Sequence, residues 1–240
     1  MNDSIRIIGK LDLKNKPVIQ SFTGSGAVGS IVSSYLVNLL DMKEVAHIQT
    51  DLLPPVALIK NGLIEHPIRI FQSNKITLMS CEIPIQYADI YPLIEILVEL
   101  YIKQGASYII PIAGIAKTKE SKEKPKIYGI SYKKEMLDFL EKKTIEPLYD
   151  GIVYGSYIET LSLCETRKYK NAFALLVECD SNTPAFHESQ LLIEKMGEMF
   201  DFEFDKKTFE VVSDKIKTNI DEGVKLLKQE MIDRTRESHL

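Results

Sequence analysis

The sequence predicts an α/β fold, and three observations carry that reading. Short β-prone apolar runs alternate along the chain with runs whose apolar residues recur at helical spacing. Near the start, Pro17-Val-Ile-Gln-Ser-Phe22 is followed by Gly24, Gly26 and Gly29, and then by a helical period through Leu40. From Asp205 onward a single apolar stripe replaces the alternation.

The elements follow in order. Ile5 to Leu13 and Val18 to Phe22 read as strands, separated by a turn at Lys14-Asn-Lys-Pro17. Val28 to Leu40 reads as a helix with Ile31, Tyr35, Leu36, Leu39 and Leu40 on its apolar side. Val45 to Thr50 is a strand that runs into Asp51-Leu-Leu-Pro-Pro55. Short strands follow at Val56 to Ile59, Ile68 to Gln72 and Ile76 to Cys81, with turns at Asn61-Gly62 and Ser73-Asn74. Asn-Gly between apolar runs is a hairpin signal, because both turn residues tolerate positive φ.

Tyr87 to Lys103 is a helix that Gly105 terminates. Tyr108 to Ile112 is a buried strand, and Gly114 opens a loop. Lys117 to Pro125 is charged and free of apolar residues, so it reads as a solvated excursion. Strands at Ile127 to Ser131, Gly151 to Tyr154 and Phe173 to Cys179 alternate with helices at Lys133 to Lys142, Tyr157 to Arg167 and Pro184 to Met199. No linker divides the chain before the last helix, so residues 1–204 form one α/β domain and 205–240 a C-terminal amphipathic helix. In that helix Phe209, Val212, Ile216, Ile220, Val224, Leu227 and Met231 recur at steps of 3, 4, 4, 4, 3 and 4. Such a stripe must be buried on its own domain or on a neighbouring subunit.

Composition removes several function classes. The chain has 240 residues, 45% apolar and 27% charged, as expected of a globular protein. Its net charge of -4 argues against nucleic acid as a partner. It has no run of eighteen apolar residues and no signal-peptide pattern, so a cytoplasmic protein without a membrane span is expected. Cys81, Cys164 and Cys179 are widely spaced among apolar residues, which reads as buried free thiols.

The glycine turn is the candidate site. A strand, a glycine turn and a helix gather backbone N–H groups at a helix N-terminus, where an anion can sit. Gly24, Ser25, Gly26 and Gly29 are the residues that would hold it. The same turn can instead let strand and helix pack closely. Gly24-Ser-Gly-Ala-Val-Gly29 fits G-x-G-x-x-G, and Asp51 stands 22 residues after Gly29. The rigid apolar Leu-Leu-Pro-Pro run after Asp51 makes a poor ribose loop, so no nucleotide cofactor is expected. Ser25 is no nucleophile elbow, because Thr23 stands where G-x-S-x-G needs glycine. His47, His66, His187 and His239 have no metal-ligand spacing, and His47 reads as a core histidine within a strand. Glu82 follows a strand end and can line a cleft with Asp51, but one carboxylate makes no acid/base pair. No catalytic residue and no metal site is assigned.

The ordered set Phe22-Thr-Gly-Ser-Gly-Ala-Val-Gly29, Asp51-Leu-Leu-Pro-Pro55, Asn61-Gly62, His66-Pro-Ile-Arg69, Ser80-Cys-Glu-Ile-Pro84, Ile112-Ala-Gly-Ile115 and Tyr128-Gly129 resembles the proteasome assembly chaperone family in its archaeal form. The resemblance runs from about residue 17 to about residue 200 and on into the last helix. It implies a three-layer α/β/α sandwich with a central mixed sheet, similar to the phosphorylases and hydrolases. It implies a homo-oligomeric, ATP-independent chaperone without catalysis, with proteasome subunits or other proteins as clients. Contacts to copies or partners would fall on Leu52, Leu53, Pro54 and Pro55, and on Ile220, Val224 and Leu227 of the stripe. Relatives that dock on the proteasome end in a hydrophobic–Tyr–X tail, whereas this sequence ends Glu237-Ser-His-Leu240. Where many relatives carry Pro-Asp-Pro, this one has Asn182-Thr-Pro-Ala-Phe186. The alternative is an enzyme of phosphorylase-like fold that binds a small anionic or nucleotide substrate at the glycine turn.

Overall fold

The computed structural model describes residues 5–53, 55–60, 62–117, 124–214 and 216. Strands β1 (Ile5–Gly9) and β2 (Pro17–Phe22) come first, and a single 3-10 turn (Ser25–Ala27) leads into α1 (Val28–Leu39). Then come β3 (Lys43–Thr50), β4 (Leu58–Lys60), β5 (Leu63–Glu65), β6 (Ile68–Gln72), β7 (Thr77–Cys81) and α2 (Tyr87–Lys103). The second half holds β8 (Tyr108–Ala116), β9 (Ile127–Ile130), α3 (Lys134–Lys142), β10 (Glu146–Pro147), α4 (Ser156–Thr166), β11 (Ala174–Cys179) and α5 (Phe186–Phe200). Residues 206–214 are helical as well.

Among the described residues, one nine-stranded mixed sheet has the order β1-β3-β6-β7-β2-β8-β11-β9-β10. Its centre is a parallel block of β7, β2, β8 and β11. These strands read as near-continuous apolar runs because both of their faces are covered. Antiparallel neighbours flank the block, with β6, β3 and β1 on one side and β9 on the other.

Successive side chains of β2 show how the sheet separates two cores. Ile19 faces α1 and α5, in a core with Ile31, Tyr35, Phe173 and Leu192. Val18 faces α2 and α4, in a core with Ile94, Leu97, Tyr101 and Leu161. Each fully buried aliphatic side chain contributes about 1.5–3 kcal/mol, so the two apolar layers outweigh any helix propensity. This is the expected three-layer α/β/α arrangement.

The described part of the terminal stripe lies on the chain's own domain. Phe209, Val212 and Ile216 are buried in the α1/α5 core. Tyr35 on α1 fixes the entry to this helix: its hydroxyl accepts from the Asp205 amide at 2.8 Å and donates to the Asp205 carbonyl at 3.1 Å. Asp205 also caps the helix, accepting from the Thr208 amide at 3.0 Å. Ile220, Val224, Leu227 and Met231 lie outside the described residues.

Some expected elements differ. A hairpin does form around Gly62, but β4 pairs with β5 rather than with Ile68 to Gln72. The latter, β6, pairs with β3 and β7. β8 continues past Ile112 through Gly114 to Ala116. Gly151 to Tyr154 forms no strand, and the nearby strand is β10. β1 stops at Gly9, whose positive φ of 135° ends the run.

Candidate functional site

The carboxyl ends of parallel strands are where α/β sheets place their sites. Here that end gathers the glycine turn after β2, the Glu82 segment after β7, and the Asp180–Ala185 connection after β11. The turn is tied to its neighbour by Thr23, whose hydroxyl donates to the Cys81 carbonyl at 3.0 Å.

Two glycines of the turn have definite jobs. Gly26 has φ 61°, and a Cβ there would lie 2.7 Å from the Ala185 Cβ and 2.8 Å from the Cys179 Sγ. The Ala185 amide donates to the Gly26 carbonyl at 2.8 Å. Gly29 lets α1 lie against β2, since a Cβ would come within 2.4 Å of the Phe22 carbonyl. A third glycine, Gly114 of β8, faces the Ser25 carbonyl, where a Cβ would sit 2.5 Å away. Protein atoms therefore occupy the inner side of the turn. Ser25 is half-buried, and Gly24 is exposed with nothing near its missing side chain.

Glu82 joins a group that the sequence did not bring together. Arg69 on β6 is 5% exposed and stands opposite His47 of β3 and Ser80 of β7. Its guanidinium donates to Glu65 and to Glu82, with Glu44 at 3.7 Å. The Phe71 ring lies 5.0 Å from it. Burial works against the guanidinium charge, but Glu82, and then Glu65 and Glu44, hold its pKa above the ordinary value. His47 sits 3.6 Å from Glu44 and stacks on His66 at 3.7 Å between ring centroids. The one local signal for this group is an arginine inside the apolar run Ile68–Phe71; its carboxylate partners come from three separate segments.

Asp51 is exposed beyond β3 and is not among the groups that meet Arg69. Leu52 and Leu53 are half-buried against the α2/α4 core, and Pro55 is exposed. Pro54 lies outside the described residues. Cys81, Cys164 and Cys179 are buried free thiols, and burial pushes them up to about 12, about 12 and about 11. Among the described residues no three His, Cys, Asp or Glu side chains are grouped to hold a metal ion. No described helix is long and apolar enough to cross a membrane.

These groups form a closely packed junction and a buried ion-pair network. Comparison with known proteins agrees with the architecture. An uncharacterised protein of Methanocaldococcus jannaschii is 25% identical over 235 residues, covering 95% of this chain and 96% of that protein. The crystal structure of Pyrococcus furiosus PbaA, an archaeal homologue of proteasome-assembly chaperone, matches with a TM-score of 0.80 at 20% identity, over 98% of this chain and 96% of PbaA. Pyrococcus furiosus PbaB, an archaeal proteasome activator, matches at 0.74 and 14% identity, over 98% of this chain and 99% of PbaB. The PAC2 family model matches residues 18–224, and the chain belongs to the PAC2 family.

Proposed function

We propose that this protein is a non-catalytic, ATP-independent, homo-oligomeric chaperone or scaffold whose clients are proteasome subunits. The observation that carries the reading is the filled glycine turn: Ala185 and Cys179 stand where a ligand would approach Gly26. Likeness to PbaA and PbaB, described as a proteasome-assembly chaperone homologue and a proteasome activator, supplies the client class. The protein would act in the cytoplasm and bind through surfaces rather than through a cofactor.

The test is capture of proteasome α and β subunits from the source organism by the full chain, with and without ATP, followed by intact mass measurement. Equal capture in both conditions is expected. Capture that requires ATP, or no capture of any proteasome subunit, overturns the reading.

One observation favours the anion-binding alternative. Gly24 is open, and the first turn of α1 carries no acidic residue. Thermal shift with phosphate and nucleotides decides it. A ligand at about 100 times its Kd stabilises by about 2.7 kcal/mol, and a shift of that size abolished by Gly24→Glu would establish the alternative.

A further inference from the structure

We propose that the stacked His47–His66 pair is a proton-operated latch, which holds the β4–β5 hairpin on the domain at neutral pH and lets it go as pH falls through the histidine range. The inference goes beyond the chaperone reading and does not depend on it. The hairpin is its own two-stranded sheet, separate from the nine-stranded one. Ile59, Leu63 and Ile64 near its tip are 68%, 70% and 77% exposed, so the tip contributes little packing and the root carries the attachment. On the β4 side of the root, Leu58 rests half-buried on the α2/α4 core. On the β5 side the ties are polar. Glu65 accepts from Arg69, and the His66 ring lies on that of His47, 3.7 Å between centroids and 9° from parallel.

The charges around the pair come from the strands on either side. On β3, a Glu44 carboxylate oxygen stands 3.6 Å from His47 Nδ1. On β6, Arg69 is opposite His47, and its guanidinium already engages Glu65 and Glu82. On β1, uncharged Ile8 is opposite His47, and Arg6 follows opposite Gln49. Past the end of β1, the Lys10 amide donates to the Val45 carbonyl. On β7, uncharged Ser80 is opposite Arg69. Lys60 lies at the far end of the hairpin, opposite Leu63.

The pair therefore has one carboxylate to answer one proton. A first proton on His47 pairs with Glu44 and leaves the stack with a single charge. A second would set two like charges face to face at 3.7 Å, beside a guanidinium that is already positive. Once the arm is released, the two rings are solvated and each takes a proton near the ordinary pH of about 6.5. The released arm thus binds one proton more than the latched one, so falling pH drives release. A two-stranded hairpin is marginal in water on its own, so an unlatched arm also loses its internal hydrogen bonds.

Hydrogen exchange of the full chain tests this, read by peptide mass spectrometry as protection factors against the intrinsic rate at each pH. The window runs from about pH 7.5 to about pH 5.5, above the ordinary carboxylate range. In the wild type, protection of β4 and β5 should fall by up to about tenfold per pH unit below about pH 6.5, while β2 and β8 keep theirs. His47→Phe keeps a flat ring but cannot take a proton, so its profile should be level. Glu44→Gln removes the partner of the first proton, and its profile should steepen toward about a hundredfold per pH unit, as two protons require. Circular dichroism melting at neutral pH checks folding, and His47→Gln replaces His47→Phe if that variant melts early. A level wild-type profile, or a His47→Phe profile that falls as the wild type's does, overturns the latch. So does loss of protection throughout the chain, which is acid unfolding. A Glu44→Gln profile with the wild-type slope overturns the one-proton pairing on which the latch is built. None of these outcomes bears on capture of proteasome subunits, so the two readings fail separately.

Discussion

At the residue scale, Gly26 and Arg69 do the most, in different ways. Gly26 combines a left-handed backbone with a missing side chain whose space Ala185 and Cys179 already fill. Gly26→Val should therefore destabilise by about 1–3 kcal/mol through strain and displaced packing. Urea midpoints measure this, and full stability with loss of a tightly bound anion would point to binding instead. Arg69 is a buried cation facing three carboxylates. Arg69→Met takes the guanidinium away from Glu65 and Glu82, while Glu44 keeps His47 beside it. The cost should be about 3 kcal/mol, the low end for a broken buried pair, because Glu65 and Glu82 retain some solvent. Adding Glu82→Gln should recover part of that loss, since it removes one of the unpaired charges. Additive losses would mean that Glu82 and Arg69 act independently.

At the element scale, the terminal helix shows how a stripe and a cap cooperate. Hydrogen bonds from the Thr208 hydroxyl, and then from its amide, hold the Asp205 carboxyl below the usual carboxylate range. A carboxyl with a lowered folded value stabilises above its unfolded value, and that contribution is lost as pH falls through the folded one. Protection factors of the amides at residues 208–212, measured against the intrinsic exchange rate at each pH, should therefore fall below about pH 4, where a free aspartate protonates. In Asp205→Ala protection should be lower at neutral pH and show no such dependence. Most elements of this kind were legible from periodicity alone: α1, α2 and β6 begin within the expected residues, and the stripe's first members are buried. The hairpin was half legible. The sequence signal Asn61-Gly62 marked a turn, but the strands that pair are the short ones beside it, Leu58–Lys60 and Leu63–Glu65. The run Gly151 to Tyr154 has strand composition without a strand partner, and composition cannot report partners. The Arg69 group was illegible for the same reason. Glu44, Glu65 and Glu82 meet Arg69 only once β3, β6 and β7 lie side by side, and the β3–β6 connection that allows this folds off as a separate hairpin.

At the scale of the whole molecule, one sheet serves two cores, and the three thiols report on both. Cys81 and Cys164 lie in the α2/α4 core, while Cys179 lies in the α1/α5 core beneath Gly26. A thiol held near 12 is thiolate to about one part in ten thousand at pH 8, against about a quarter for a free thiol near 8.5. Labelling of the native protein therefore requires opening, which both exposes the thiol and returns its ordinary acidity. The strands β2 and β8 contribute side chains to both cores, so neither core can come apart without loosening the wall of the other. All three cysteines should then label at one rate in mild urea at pH 8, as read by peptide mass spectrometry. Faster labelling of Cys179 alone would show a local opening of the β11–α5 connection from the glycine turn. That opening would lift Ala185 and Cys179 off Gly26, clear the inner side of the turn, and move the balance of argument from a packed junction toward a binding site.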